Sequence, residues 1–255
     1  MKYNFEQKTV LITGGTSGIG LAAADIFLES GAKVILAGRC PVKGAKALES
    51  LSKYSSRVSF IAGDVSRVSD CEKIISQTIS LYGQLDIVVN SAGVYLEKAI
   101  TDMSVEEYET IMDINVKGSY FIAKYAIPYL KKEAGSAIVN VSSDAGLNGN
   151  ILCTAYCAAK GAVTTFTKAL ALELAPYNIR VNCVCPGDIA TPMLDMQLAG
   201  TSNPSDALKE MASIYPLGRI GRAEEAAHVI CFLASDAASF VTGAAWTVDG
   251  GLTSC

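Results

Sequence analysis

The feature that most constrains the fold is an alternation, along the whole chain, of short apolar, β-branched runs with longer segments of helical period. The short runs predict seven strands, at Thr9–Ile12, Lys33–Ala37, Val58–Ala62, Leu85–Asn90, Ala137–Val141, Ile179–Val184 and Ala244–Val248. The segments between them are too long for hairpins and fit crossover helices, the first of which should end at Gly31. Strand–helix–strand repetition predicts an α/β fold with a doubly wound, parallel sheet and helices on both faces.

The domain organisation is predicted to be simple. The chain has 255 residues, 50% of them hydrophobic, and no repeat or linker divides it, so we expect one domain over residues 1–255. One long irregular stretch runs from Pro186 to Arg219 and includes Pro192 and Pro204. Long loops in compact domains are commonly lids or binding loops. We therefore predict a mobile substrate flap at about 188–217.

Composition and charge weigh against several classes of function. The Met1–Lys8 start is polar, and no window of about 18 residues is both apolar and uncharged, which predicts a cytoplasmic protein without a signal peptide or membrane span. A net charge of −4 without a basic run weighs against nucleic-acid binding. Cys153 and Cys157 come nearest to a metal pair, but the single histidine, His228, is assigned a structural role and no metal site is predicted. A small molecule is the expected partner.

The turn after the first strand carries the first chemical motif, Thr13-Gly14-Gly15-Thr16-Ser17-Gly18-Ile19-Gly20. Glycines let the backbone approach a pyrophosphate closely, and the amides and dipole of the following helix favour an anion. The G-x-x-x-G-x-G spacing departs from the common G-x-G-x-x-G fingerprint, and a purely structural turn is the alternative. Its place in the first strand–helix–strand unit favours a dinucleotide site.

The end of the second strand indicates which dinucleotide is bound. An acidic residue there usually holds the adenosine ribose of NAD, but no Asp or Glu occurs from residue 31 through 48. Arg39 stands there instead, with Lys43 and Lys46 nearby, and an arginine can pair with a ribose 2′-phosphate. NADP(H) is therefore favoured over NAD(H). Alternatively, Arg39 is a solvated surface residue, and Thr16 and Ser17 bind a ribose hydroxyl.

The second chemical motif is Tyr156-Cys157-Ala158-Ala159-Lys160. Positions i and i+4 share one helix face, so the Lys160 ammonium could stabilise a Tyr156 phenolate. Spacing alone does not identify the pair, because Tyr120 and Lys124 repeat it in a segment that predicts an amphipathic packing helix. Only the first pair follows a strand with serines at its carboxyl end, where ligands of open parallel sheets bind. Those serines are Ser142 and Ser143.

Further motifs follow in order along the chain. They are Asp64 after the third strand, Asn90-Ser91-Ala92-Gly93 after the fourth, Asn115, Ser143, Pro186-Gly187 with Thr191, and Val248-Asp249-Gly250-Gly251 near the end. With the glycine-rich turn and Tyr156-x-x-x-Lys160, this ordered set resembles the short-chain dehydrogenase/reductase family from the first strand to the C-terminus. Ser91 replaces a second asparagine that is frequent in the family. The resemblance implies a Rossmann-type, seven-stranded parallel sheet.

The resemblance also implies the reaction, a hydride transfer between a nicotinamide cofactor and a secondary alcohol or ketone. Tyr156 is expected to be the general acid/base, and Ser143, selected over Ser142 by the family's spacing, to bind the reacting oxygen. Lys160 is expected to lower the pKa of Tyr156 and hold the nicotinamide ribose. Asn115 is expected to hold a water that relays protons, although it could instead only satisfy backbone groups.

Cofactor contacts are implied in the same way. Asp64 and Val65 should flank the adenine, and Asn90, Ala92 and Gly93 the ribose. Pro186, Gly187, Ile189 and Thr191 should line the nicotinamide end. The remaining expected contacts are Gly14, Thr16, Ser17, Gly18, Ile19, Gly20, Arg39, Tyr156 and Lys160. Thr191 could instead cap the turn that follows it, and Asp249 could be a turn residue. The family commonly forms homotetramers through the helix that contains Asn115 and the last strand.

The substrate is not specified by these motifs. The predicted flap carries apolar residues that suit a ring or chain, namely Met193, Leu194, Met196, Leu198, Met211, Ile214 and Leu217. Polar residues expected near the pocket suit a hydroxylated molecule equally, namely Asp144, Asn148, Asn150 and Asp188. A non-catalytic dinucleotide sensor is the alternative function, but it would be expected to have lost Tyr156 or Lys160. A sugar-nucleotide epimerase or dehydratase would need a further C-terminal domain.

Overall fold

The structure is a computed structural model that describes residues 3–254. Its strands are β1 (Thr9–Thr13), β2 (Lys33–Gly38), β3 (Val58–Ala62), β4 (Ile87–Asn90), β5 (Ala137–Val141), β6 (Arg180–Pro186), β7 (Ile189–Ala190), β8 (Gly221–Arg222) and β9 (Ala245–Val248). Seven of them form one parallel sheet in the order β3-β2-β1-β4-β5-β6-β9. The α/β class and parallel sheet are confirmed. β7 and β8 form a separate parallel ribbon.

The helices connect consecutive strands and cover both faces of the sheet. They are α1 (Gly18–Glu29), α2 (Pro41–Ser50), α3 (Val68–Tyr82), α4 (Val105–Met112), α5 (Gly118–Leu130), α6 (Thr154–Leu174), α7 (Pro192–Leu198), α8 (Pro204–Ser213) and α9 (Ala223–Ala234). α1 ends where glycine permits a reversal, because Gly31 has a φ of +96°. The predicted helix end at that glycine is confirmed.

Two apolar cores lie on opposite faces of the sheet because successive strand side chains point in opposite directions. Val10 and Ile12 of β1 pack in one core with Phe27 of α1 and Ile230 of α9. Leu11, between them, packs in the other core, which includes residues of α3, α5 and α6. Both faces are buried, which is why the central strands are mostly apolar instead of alternating regularly with polar residues.

The stretch from Pro186 to Arg219 is not irregular, and that part of the prediction is wrong. It contains α7 and α8, each of which begins at a proline, Pro192 and Pro204. Proline suits the first helical position, because its φ is already helical and its missing N–H has no partner there. The prolines therefore start helices in this stretch. Across residues 3–254, no helix combines the length and apolar character that crossing a membrane requires.

A buried arginine joins the last strands to the end of α9. Arg180, at the start of β6, is 8% exposed, and its guanidinium donates to the carbonyls of Leu233, Ala234 and Ser235. These are carbonyls at a helix C-terminus, which has no intrahelical donors left. The arginine thus satisfies the end of α9 inside the protein.

We predict that Arg180→Met will destabilise the protein by about 3 kcal/mol, since it leaves buried carbonyls without a donor. The free energy of unfolding from denaturant titration measures this. Arg222→Met is the control, because that side chain is 66% exposed and its loss should cost little. Equal losses in the two variants would contradict the assigned role of Arg180.

Candidate active site

The predicted site residues converge on the carboxyl edge of the sheet. They lie at the carboxyl ends of strands β1 to β6 or in the loops and helices that follow these strands, and parallel pairing brings those strand ends to the same side. The catalytic candidates Asn115, Ser143, Tyr156 and Lys160 are between 1% and 8% exposed. The site is therefore largely shielded from solvent.

The glycine-rich turn packs tightly against two neighbouring loops. A Cβ on Gly14 would lie 2.8 Å from the backbone of Ala92, and one on Gly20 would lie 2.6 Å from the carbonyl oxygen of Gly14. Gly18 faces Thr191, with a distance of 3.1 Å from its would-be Cβ to the threonine Cγ2. Three predicted cofactor-binding loops, after β1, β4 and β6, are thus in close contact.

The start of α1 fits an anion. Ser17 is the N-cap, its side chain makes no capping hydrogen bond, and the first turn of the helix carries no acidic residue. Thr16 lies against the end of β2, where a Cβ on Gly38 would be 3.3 Å from its Cγ2. The helix amides and the close backbone packing fit the pyrophosphate of a dinucleotide.

The adenosine side is formed by the ends of β2 and β3. Arg39 follows β2 directly, is exposed, and has no ion-pair partner among the residues that the structure describes. Asp64 accepts hydrogen bonds from the amide and hydroxyl of Ser66, at 3.0 and 2.8 Å. Val65 packs against the start of α5, 2.9 Å from the would-be Cβ of Gly118. Arg39 is thus free to meet a ribose phosphate.

Asn90 is placed differently from the rest of its motif. Its side-chain amide nitrogen donates to Asn140 at 2.9 Å, and the residue is 2% exposed at the end of β4. The side chain therefore tethers β4 to β5. Ala92 instead lies against Gly14 of the glycine-rich turn, and Gly93 lies beside Asn115 and Lys160.

Asn115 lies in a π-helical turn, Asp113–Lys117, between α4 and α5. Its side-chain oxygen accepts from the amide of Val94 at 3.1 Å, and its side-chain nitrogen donates to the Val94 carbonyl at 3.0 Å. A Cβ on Gly93 would lie 2.8 Å from the Asn115 oxygen and 3.6 Å from the Lys160 ammonium. Asn115 thus anchors the loop after β4 beside Lys160, which is the backbone-satisfying role considered above.

Tyr156 and Lys160 lie in the first two turns of α6. The Lys160 ammonium donates to the carbonyl of Val141 at 2.9 Å and lies 5.6 Å from the centre of the Tyr156 ring. Burial lowers the pKa of Lys160 to about 8. Burial raises the pKa of Tyr156, a hydrogen-bond interaction with Ser143 opposes the rise, and the charge of Asp144 adds to it.

Burial has the largest effect on Tyr156 and raises its pKa, and the expected lowering of that pKa by Lys160 stays a prediction. Both groups are buried, and burial disfavours the charged form of each. Near neutral pH the tyrosine is a neutral phenol, and the lysine loses its proton at a lower pH than an exposed lysine does. Desolvation therefore moves the proton affinities of the two groups apart, with the tyrosine raised and the lysine lowered.

Ser143 follows β5 and faces a carboxylate. Its hydroxyl donates to Asp144 at 2.7 Å and accepts from the amide of Ala145 at 3.2 Å. Ser142, in contrast, turns inward, where its hydroxyl donates to the Lys160 carbonyl at 2.9 Å. The choice of Ser143 over Ser142 thus agrees with where the two hydroxyls lie.

The comparisons with known proteins agree with this geometry. A family model described as "Enoyl-(Acyl carrier protein) reductase" matches residues 14–253. An uncharacterised oxidoreductase of Thermotoga maritima is 42% identical, over 98% of this chain and 99% of that protein. The chain belongs to the short-chain dehydrogenase/reductase family. It is accordingly an oxidoreductase of a family that uses NAD(P)(H).

Other members of the family differ in their named substrates. An NADP-dependent (R)-specific alcohol dehydrogenase of Lentilactobacillus kefiri is 38% identical, over 96% of each chain. The solved structure of a glucose/ribitol dehydrogenase of Brucella melitensis has a TM-score of 0.91 and 37% identity, covering 99% of both chains. Similarity to these short-chain dehydrogenases therefore identifies the fold and reaction class without identifying one substrate.

Two site residues were missed by the sequence reasoning, and both are tyrosines. The ring of Tyr95 packs edge-on against Tyr156, with centres 4.9 Å apart, and its hydroxyl donates to Glu97 at 3.0 Å. The hydroxyl of Tyr215 accepts from the amide of Asp188 at 2.7 Å. The position of Tyr95, two residues after the Asn90–Gly93 motif, was a usable signal. Tyr215 had none, because it lies in the segment that we read as irregular.

The alternatives for two turn residues are also resolved. Thr191 is the N-cap of α7, but its hydroxyl donates to the Ile189 carbonyl at 3.2 Å and makes no cap bond. The Asp249 carboxylate accepts from the amides of Gly251 and Thr253, at 3.1 and 2.9 Å. Asp249 is thus a turn residue of the C-terminal segment.

The polar and apolar residues predicted near the substrate differ in burial and in hydrogen bonding. Asp144 accepts from the side chain of Asn150 at 3.3 Å, whereas Asn148 is exposed. In α7, Leu194 is buried and Met196 is 71% exposed. The remaining apolar candidates that stay strongly exposed are Ile214 and Leu217. Of these candidates, Asp144 is the one that contacts Ser143.

We predict a pH signature for the buried Lys160. Its pKa of about 8 lies below its ordinary 10.5, so between these values the unfolded chain binds more protons and stability rises with pH. From about pH 7.5 to about pH 9.5, the ligand-free protein should gain about 2 kcal/mol relative to Lys160→Met. Denaturant unfolding of both proteins measures the difference. A constant difference across this range would contradict a depressed pKa.

Proposed function

We propose that this protein is an NADP(H)-dependent alcohol dehydrogenase or carbonyl reductase that interconverts a secondary alcohol and a ketone. The observation that carries the proposal is the convergence of Ser143, Tyr156 and Lys160 at the carboxyl end of β5, at the same edge of the sheet as the glycine-rich turn. Proton transfer at an oxygen and hydride transfer at its carbon need these parts in one place.

Each residue has a distinct part in this reaction. Tyr156 gives its proton to the carbonyl oxygen in reduction and takes it back in oxidation, and its raised pKa favours the donor form. Ser143 donates a hydrogen bond to the same oxygen. Lys160 has a pKa of about 8, so near neutral pH it is a nearby source of protons for the tyrosine. Asn115 holds the Val94 loop against Lys160, and its part in a water-mediated relay stays a prediction.

The cofactor assignment rests on the turn after β1 and on Arg39. A bound nicotinamide supplies or accepts the hydride at its C4. The turn after β1 would hold the pyrophosphate, and the unpaired guanidinium of Arg39 supports a ribose 2′-phosphate, hence NADP(H) over NAD(H). Cytoplasmic location, a single domain with a mobile flap and assembly into a homotetramer remain predictions from the sequence.

We predict that Tyr156→Phe will lower kcat at least about a hundredfold while leaving cofactor binding intact, because only the hydroxyl proton is lost. Turnover of a screened ketone and cofactor fluorescence measure the two effects. Tyr120→Phe is a matched control, since Tyr120 and Lys124 have the same spacing but Tyr120 is 50% exposed. Near-normal turnover in Tyr156→Phe would remove this residue from the mechanism.

We predict that Arg39→Asp will shift the preference from NADP toward NAD by about a hundredfold or more in the ratio of kcat/KM values. A carboxylate repels the 2′-phosphate and can accept from a ribose hydroxyl. Lys73→Asp makes the same charge change at a side chain that is 69% exposed and should leave the ratio unchanged. An unaltered ratio in Arg39→Asp would overturn the assignment of NADP(H).

A further inference from the structure

Asp144, the residue after the catalytic serine, is a buried carboxylate without a cation. It is 7% exposed, and no ion pair involving it occurs within residues 3–254. Burying an unpaired carboxylate is costly unless hydrogen bonds satisfy it. Its two side-chain partners are the Ser143 hydroxyl at 2.7 Å and the Asn150 amide at 3.3 Å.

The hydrogen bond from Ser143 to Asp144 competes with the hydrogen bond that Ser143 would donate to a simple ketone substrate. A serine hydroxyl has one proton to donate, and in this structure it goes to Asp144. If Ser143 turns to the reacting oxygen, as the proposed function requires, a charged and buried acceptor loses its nearest donor. Leaving such an acceptor unsatisfied costs free energy that a replacement donor would recover.

We propose that a hydroxyl group on the substrate carbon next to the reacting one donates to Asp144 when Ser143 releases it. The two oxygens of a vicinal diol lie about one hydrogen-bond length apart, which matches the separation of the Ser143 and Asp144 oxygens. The preferred substrates are therefore vicinal diols and α-hydroxy ketones. Asp144 is the specificity-determining residue for this second hydroxyl, and the inference rests on the proposed function.

The charges around this position indicate that the substrate is neutral. Asp188 lies at the same edge of the sheet, two residues past the end of β6, the strand that pairs with β5. Its charge and that of Asp144 both act on Tyr156. The only lysine in the catalytic group, Lys160, donates to the Val141 carbonyl. A carboxylate or phosphate beside the reacting carbon would meet two carboxylates in a low-dielectric site and be repelled. Hydroxyl groups, as donors, would be attracted.

The test is a double-mutant cycle between Asp144 and the substrate hydroxyl. Cyclohexanol is compared with cis- and trans-cyclohexane-1,2-diol, and butan-2-ol with butane-2,3-diol, using wild type, Asp144→Asn and Asp144→Ala. For wild type, we expect kcat/KM to be at least about tenfold higher for a diol than for its mono-alcohol. In both variants the advantage should fall below about threefold, with the loss confined to the diols.

Two controls separate this role from a structural one. Asp102→Asn removes a carboxylate at an exposed position and should leave the diol preference unchanged. Cofactor fluorescence titration should give unchanged binding in the Asp144 variants, which shows that the site still folds. Lactate, which carries a carboxylate where propane-1,2-diol carries a hydroxymethyl group, should be oxidised at least about a hundredfold less efficiently than that diol by wild type.

The outcomes distinguish the inference from the function on which it rests. Equal kcat/KM for diols and mono-alcohols in wild type would overturn the role of Asp144 and leave the dehydrogenase function in place. A diol preference that persists in both Asp144 variants would also overturn it. If no alcohol of the panel is oxidised with either dinucleotide, the proposed function fails and the inference fails with it.

Discussion

Parallel pairing of the seven strands is the constraint on which the rest of this structure depends. Each of β1, β2, β4, β5 and β6 pairs with a parallel neighbour on both sides, and parallel neighbours can be joined only by a segment that returns across a face of the sheet. The helices that make these returns bury both faces. The carboxyl ends of the strands then share one edge, where residues far apart in sequence, such as Gly14, Ala92 and Thr191, come into contact.

Burial gives the groups at this edge their chemical character. Tyr156, Lys160 and Asp144 would all be charged or easily charged in water at some accessible pH, and each lies almost fully within the protein. Desolvation moves the pKa of the lysine down to about 8 and that of the tyrosine up. Burying these groups costs folding stability. Their hydrogen bonds with one another and with the backbone would have to rearrange when a substrate enters.

Much of the fold was predictable from local pattern, because the central strands are buried on both faces and are mostly apolar. Strand positions such as Val58–Ala62 and Ala137–Val141 agree with the structure to the residue. The prediction of an irregular segment from Pro186 to Arg219 was wrong for a local reason. Proline disrupts a helix interior but also suits the first position of a helix, and two of the prolines in this segment stand at helix starts. The π-helical turn around Asn115 left no pattern in the sequence, and the contacts of Tyr95 and Tyr215 depend on long-range packing.

The sequence by itself determined the sheet class, the glycine-rich turn, the basic residue after β2 and two tyrosine–lysine pairs of identical spacing. Only the tertiary structure distinguished those pairs, placing Tyr156 against Ser143 and Tyr95 while leaving Tyr120 half exposed on α5. It also gave Ser143 its bond to Asp144 and turned Ser142 away. The physical reason is that spacing along a helix fixes which side chains are neighbours on one face, whereas desolvation and hydrogen-bond partners depend on which other strands and loops that face meets.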